Sequence, residues 1–332
     1  MITLLTCSVT MTALSLVYMA ITPMLAKRYA PKGRYYAWLI IVIGLVIPFR
    51  PQFSSNFIEI SHTETATAIL SPIGNTAFST SLSDISLWRL MAVIWVSGVV
   101  ACFAYQAVKH YRFVKIVRRW SESVTDEQSL IMFRDLKLEL GISKQIGLHQ
   151  CLCIGSPMLI GFAHPCILLP NLDFKRDELY FILKHELVHY KRKDLWYRLL
   201  VLIATALHWF NPFVQLMARA IGTLCEISCD NEVVLSTNMY TRQHYSEAII
   251  GVVRYKSKIK TALSTNFYGG KKGVKSRIFS IMDTGMKKSG IAIILAVLVF
   301  TIATGSSLDV NNVADEYDIP VEQAITPIPQ ND

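Results

Sequence analysis

The sequence predicts an α-helical membrane protein of four spans and a re-entrant helical hairpin, carrying an α+β domain on its cytosolic side. Three observations carry this expectation. Hydrophobic residues fill 52% of the 332 positions, and mean hydropathy is +0.37, values of a membrane protein with a soluble insert. The net charge of +9 is uneven, because basic residues gather beside apolar runs, where they orient spans. Between those runs lies His185-Glu186-Leu187-Val188-His189, an H-E-x-x-H string. The seven cysteines are odd in number and irregularly spaced. They make no disulfide framework and fit a reducing compartment.

Residues 2–26 are apolar and uncharged until Lys27. Without a positive n-region the run reads as a retained span rather than a secretory signal. Lys27, Arg28, Lys32 and Arg34 share one short loop, which places that loop in the cytosol and the N-terminus outside. Tyr35 to Phe49 is a short second span interrupted at Pro48. Residues 50–86 are Ser/Thr-rich with Arg50 as their only basic residue, an extracytoplasmic loop by the same rule. A third span runs from Leu87 to about Val108. Lys109, Arg112, Lys115, Arg118 and Arg119 follow, interleaved with Tyr111, Phe113 and Trp120. This patch suits the anionic lipid under a positive-inside span, and direct nucleic-acid binding is not expected.

The cytosolic domain is expected over 121–285. Thr125-Asp126-Glu127-Gln128 has capping-box spacing, and the apolar positions after it give a helix that stops at Gly141. From Ile146 to Pro170, short apolar runs broken by Gly and Pro predict two or three strands. Such a sheet can offer its edge to an extended peptide, or it can be plain core. Asn171 or Asp173 can cap the next, amphipathic helix, which carries His185 and His189. The apolar stretch 195–221 cannot cross the membrane once, because His185 and Glu226 would then lie on opposite sides. It is expected as a hairpin bent at Asn211-Pro212, dipping into the inner leaflet or packing on the other spans. His208 within it reads as a satisfied interfacial side chain. Thr261 to Lys275 is basic and Gly-containing and reads as a linker. A fourth span over 286–307 crosses outward after Lys287 and Lys288. The tail 308–332 is acidic and without Lys or Arg. Both termini are thus expected outside the membrane.

The chemistry rests on spacing. His185 and His189 share a helical face and can reach one tetrahedral Zn²⁺. Glu186, one position round, stands where a general base must take a proton from the attacking water. A catalytic zinc wants a third protein ligand and an open position. Glu226 on a second helix qualifies, because Asp230 follows one turn on and can orient a ligating imidazole. Cys225 and Cys229, also four apart, and Cys151 with Cys153 are competing ligands. A closed cysteine site would leave Glu186 without a role, so the cysteines read as small core residues. Two metal-free helical histidines remain the bland alternative.

His185-Glu186-Leu187-Val188-His189-Tyr190-Lys191-Arg192-Lys193-Asp194 resembles H-E-x-x-H-x-x-R-x-D of the BlaR/MecR type of regulatory membrane metallopeptidase, the antibiotic-sensing transducers of bacteria. Leu207 to Pro212, Glu226 to Asp230 and the run from Gly155-Ser156-Pro157 to Pro170 are similar to its other motifs. The resemblance covers roughly 1–307. It implies a gluzincin-like cytosolic domain with zinc on His185, His189 and Glu226, Glu186 as catalyst, and Arg192 and Asp194 bracing the helix end. It also implies an outside signal that triggers cleavage of a cytosolic DNA-binding repressor, often with self-cleavage. The sequence suggests the latter near Asn266-Phe267-Tyr268. One departure stands out: only residues 308–332 follow Ser307, with no S-x-x-K nucleophile motif. β-Lactam acylation by this chain is not expected. A separate sensor protein, a second copy, the 50–86 loop, the tail or the membrane itself must then supply the signal. The runner-up reading is a quality-control protease for membrane proteins, and the third a non-catalytic receptor, which would have no use for Glu186.

Overall fold

The computed structural model describes residues 2–47, 87–254 and 270–315. The expected loop at 50–86, the stretch Asn266-Phe267-Tyr268 and the tail from 316 onward lie outside the described residues. Four apolar helices correspond to the expected spans: α1 (Ile2–Arg28), α2 (Pro31–Val46), α3 (Leu87–Trp120) and α10 (Ile291–Asp315). By length and composition α1, from Leu5, and α3 can cross a membrane, while Ile291–Ala303 of α10 is a shorter apolar stretch. With 16 residues, α2 is about 24 Å long, less than the hydrocarbon thickness of about 30 Å.

The short helix is the central one. Tyr35, Ala37, Trp38, Ile41, Val42 and Leu45 of α2 are all buried. They pack against α1, α10 and a helical hairpin of α6 (Asp194–Leu207) and α7 (Pro212–Val233). In contrast α3 leaves Leu87, Val93, Val100 and Tyr105 exposed, the surface a span shows to lipid. It continues unbroken through the basic stretch after Val108 to Trp120.

The hairpin turns where Asn211 and Pro212 direct it. Asn211 caps α7 by accepting from Phe213 N–H at 3.0 Å, and Pro212 takes the first helical position. Its tip is tied to the other helices by hydrogen bonds, while Trp209, Phe210 and Phe213 stay exposed. His208 Nε2 lies 3.0 Å from the Leu45 carbonyl near the end of α2. The Asn211 amide donates to Ser8 Oγ at 3.0 Å and Thr12 Oγ1 at 2.7 Å on α1. Trp95 Nε1 donates to Leu207 O at 2.9 Å. A Cβ on Gly98 would come within 2.3 Å of the Trp209 ring, so the missing side chain is what lets α3 close on the tip. The hairpin expected for 195–221 thus packs on α1, α2 and α3.

The α+β part carries a four-stranded sheet of β1 (Ser121–Ser123), β2 (Gly147–Cys151), β3 (Met158–Ile160) and β4 (Cys166–Pro170), ordered β1-β2-β4-β3. The β2–β4 pair is parallel and the others antiparallel. Three short polar residues gave no sequence signal for β1, which exists because it pairs with β2. One sheet face packs on Phe113 and Val117 at the end of α3 through Met158 and Leu168. The other shares a core with α4 (Glu127–Glu139), α5 (Arg176–Lys191), α8 (Met239–Arg254) and α9 (Gly270–Met282). Asp126 caps α4 by accepting from Ser129 N–H at 2.9 Å, and Gly141, at φ +68°, follows its end.

Two local expectations are corrected. The cap of α5 is Lys175 rather than Asn171 or Asp173; its N–H donates to Glu178 Oε2 at 3.1 Å. Residues 270–275, expected as linker, are the first turns of α9. Gly273, Arg277 and Ile281 recur every four residues and are buried against the rest of the domain. Tertiary packing thus overrides a composition that favours a linker.

Candidate active site

Two helices bring the chemistry together. On α5, His185, Glu186 and His189 are buried to 1% exposure or less, with Leu183, Leu187 and Val188 fixing the helix in the domain core. The second helix, α7, runs through both cores. Its Met217, Ile221 and Leu224 belong to the helical bundle, and Cys229 and Val233 to the α+β domain. Glu226 sits at the junction, 2% exposed.

His185 Nε2 and His189 Nε2 face each other at 3.0 Å. Glu226 Oε2 lies 3.5 Å from the first and Oε1 3.7 Å from the second. The opposite ring nitrogens are already engaged. His189 Nδ1 is 2.7 Å from Asp194 Oδ2. His185 Nδ1 is 2.8 Å from Tyr245 Oη, whose hydroxyl donates to Asp230 Oδ1 at 2.7 Å, and Asp230 itself is 3.3 Å from that nitrogen. With Nδ1–H donated outward, both Nε2 lone pairs point at one spot beside a carboxylate. A cation bound there would satisfy both lone pairs and the carboxylate. An N₂O donor set of this kind fits zinc, which takes imidazole nitrogen and carboxylate oxygen at about 2.0–2.2 Å.

The electrostatics agree. Burial works against charge on both imidazoles, yet Cys229, with Tyr245 and Asp230 at His185 and Asp194 at His189, raises both pKa values well above the ordinary one. Burial raises Glu226 too, but the His185 hydrogen bond and the His189 and Arg277 charges outweigh it and hold the carboxyl at about 2. Asp230 is held below its usual range, against burial, by Arg277 first and His185 after it. Buried carboxylates and cationic groups thus alternate around the two imidazoles.

Thiols come within reach as well. His185, His189 and Cys229 form one group of three possible ligands, and His189, Asp194 and Cys225 another. Cys229 Sγ stands 3.6 Å from His185 Nδ1, on the side that Tyr245 and Asp230 occupy. Asp194 is engaged with His189 through the nitrogen that faces away from Glu226. On the Nε2 side, Glu226 is the carboxylate that approaches both rings, at 3.5 and 3.7 Å.

Of the residues singled out from the sequence, His185, His189, Glu226, Asp230, Asp194 and Arg192 come together here, Glu186 is buried beside His185 in sequence, and Cys151 and Cys153 lie in the sheet core instead. Asp230 approaches His185 mainly through Tyr245, and Asp194 holds His189 directly as well as starting α6. Lys193, at φ 58°, makes the tight turn that swings Asp194 back over α5. Three further participants carried no sequence motif. Tyr245 comes from α8. Arg198, on α6, donates to Glu226 Oε1 at 3.0 Å. Arg277, on α9, donates from Nε to Asp230 Oδ2 and from Nη2 to Oδ1, both at 2.7 Å, and its Nη1 is 3.3 Å from Glu226 Oε2.

A cleft of about 450 Å³ opens beside His189, lined by Leu159 of β3, Gly161, Phe162, Tyr190, Lys193 and Trp196 among others. Since β3 ends the sheet, a strand edge borders the cleft.

A family model described as BlaR1 peptidase M56 matches residues 2–281. The chain is 26% identical over 298 residues to the regulatory protein BlaR1 of Bacillus licheniformis, covering 82% of this chain and 49% of that one. It is 24% identical over 289 residues to BlaR1 of Staphylococcus aureus, covering 80% and 48%. It is 22% identical over 261 residues to the methicillin resistance mecR1 protein of Staphylococcus aureus strain Mu50, covering 73% and 44%. The chain spans about half the length of these curated relatives.

Proposed function

The chain belongs to the BlaR1 peptidase M56 family, and from that premise we propose that it is an integral-membrane zinc endopeptidase that answers an extracytoplasmic or membrane signal by cleaving a cytosolic transcriptional repressor. The observation that supports this reading is the convergence of His185 Nε2, His189 Nε2 and Glu226 beside a buried Glu186. In this reading His185, His189 and Glu226 hold the metal. Bound there, zinc supplies a Lewis acid and lowers the pKa of the attacking water toward about 7.

The remaining chemistry belongs to the chain. Glu186 takes the water proton and later delivers it to the leaving amine. Asp194 and the Tyr245–Asp230 pair keep both imidazoles in the Nδ1–H tautomer, so that Nε2 stays a ligand. Arg277 and Arg198 restrain the Glu226 carboxylate from the far side. An extended substrate segment lies along the β3 edge, with a side chain against the packed Phe162–Trp196 pair, whose ring centroids are 5.0 Å apart. The domain faces the cytosol, below four spans and a hairpin that lies within the bundle. Self-cleavage falls in the linker before α9.

The experiment is quantitative N-terminomics on cells carrying wild type or Glu186→Ala, with and without cell-wall stress. One DNA-binding protein that gains a new N-terminus only with intact Glu186 is the expected result. Many membrane-protein fragments that depend on Glu186 would instead make it a quality-control protease.

A further inference from the structure

The Nδ1 partner of His189 is itself held from the apolar helix bundle. Asp194 uses Oδ2 for His189, and its Oδ1 accepts from Tyr35 Oη at 3.1 Å. Tyr35 lies on α2, and both side chains are only 1% exposed. Its position is tightly determined. The Arg192 guanidinium lies 4.8 Å over the Tyr35 ring while its Nε is 3.5 Å from Asp194 Oδ2. The Tyr197 ring packs at 4.6 Å, and the Tyr197 hydroxyl donates to the Tyr35 carbonyl at 3.2 Å.

Two residues earlier, α2 is clamped to the start of α10. A Cβ on Gly33 would fall 2.2 Å from Gly290 Cα, so the two backbones touch. Ala30 N–H donates to Lys288 O, and Lys288 N–H to Arg28 O, each at 3.0 Å. A hydrogen bond to the second oxygen of a buried carboxylate restricts its rotation about the first. Here that donor stands on α2, in the core of the helical bundle, whereas His189 stands on α5, in the core of the α+β domain.

We propose that Tyr35 is a positioning residue for the metal ligand His189, acting through Asp194, and that it makes zinc binding depend on where α2 stands. Displacement of α2 and α10 together withdraws the hydroxyl, frees Asp194 to rotate and loosens the imidazole. This rests on the peptidase reading above and supplies the route by which a signal in the bundle reaches the site.

The test measures zinc transfer from the purified full-length protein to a chromophoric chelator, a readout that needs no substrate. Tyr35→Phe removes only the hydroxyl and is expected to weaken zinc retention about ten- to hundredfold, as loss of an outer partner of a ligating histidine does. Tyr18→Phe is the matched control. Tyr18 is also buried, at 5% exposure, and its hydroxyl donates to Arg34 O on α2 at 3.0 Å, away from Asp194; its retention should equal wild type. In an Asp194→Asn background, Tyr35→Phe should cost nothing further. Retention within twofold of wild type for Tyr35→Phe, an equal loss in Tyr18→Phe, or additivity with Asp194→Asn overturns the proposal. Should Tyr35→Phe not fold, 3-fluorotyrosine at position 35 keeps the shape and donates more strongly, and it must then slow zinc release relative to wild type. A wild-type chain that holds zinc with this Tyr35 dependence yet cleaves nothing removes the repressor-cleaving reading and leaves the Tyr35 link standing.

Discussion

Arg277 grips Asp230 with two parallel hydrogen bonds, Nε to Oδ2 and Nη2 to Oδ1, both 2.7 Å. This fork joins α9 to α7 across 47 positions of sequence, with both side chains buried to 2% or less. A bidentate guanidinium–carboxylate pair fixes orientation as well as distance. Through Asp230 and Tyr245 that orientation passes to His185, and through Nη1 it passes to Glu226.

Breaking such a pair from one side leaves a buried charge uncompensated. Arg277→Ala is therefore expected to destabilise the domain by about 3–5 kcal/mol. Arg277→Lys keeps the charge but loses the fork, and should fold with weakened zinc retention. Thermal unfolding and metal content of the purified variants check both. A domain of wild-type stability after Arg277→Ala would mean that the pair is not made in solution.

Glu186→Gln should separate chemistry from architecture. The amide keeps the size of the side chain and removes its basicity. Cleavage should fall by about 10²–10⁴-fold, the usual worth of a general base, while zinc content stays at wild type. His185→Ala or Glu226→Ala, in contrast, should lose metal and activity together. A Glu186→Gln protein that still cleaves at a tenth of the wild-type rate or better would assign the base elsewhere.

The pH dependence of stability has a definite sign. The Glu226 carboxyl sits at about 2, below its ordinary 4.5, so the folded state holds the proton less tightly than the unfolded chain. The stability this gives is fully present above pH 4.5 and is lost as pH falls toward 2. Unfolding of the metal-free protein, followed from pH 6 down to about pH 3, should weaken more steeply in wild type than in Glu226→Gln. Parallel curves would show that Glu226 titrates normally.

At the hairpin tip, Asn211→Ala removes the amide that joins Ser8 and Thr12 and the cap of α7. Loss of the cap alone is worth about 1 kcal/mol, and the lost bonds to α1 should add to it. Hydrogen exchange should then rise in 205–215 while α5 stays protected. Unchanged exchange at the tip would mean that Asn211 does not tie the hairpin to α1.

The sequence alone determined the local chemistry of this protein. The four-residue spacing of His185 and His189, with Glu186 between them, places two imidazoles on one face of any helix that contains them. Asn211-Pro212 ends one helix and caps another wherever it occurs, and the position of lysines and arginines beside apolar runs is a property of the chain itself. The shared face of Glu226 and Asp230 was legible for the same reason, since one helical turn separates them. Tertiary structure decided what no local pattern encodes. A tyrosine in a polar helix, an arginine in a basic glycine-containing stretch and a tyrosine near the start of an apolar helix have ordinary surroundings in sequence. Tyr245, Arg277 and Tyr35 became partners of the His185–His189–Glu226 cluster only because α8, α9 and α2 pack around α5 and α7. Their hydroxyls and guanidinium group are buried there, and a buried polar group must find a partner or be very costly. That cost, set by packing across distant parts of the chain, is why the residues at the centre of the cluster could be read in advance and their supports could not.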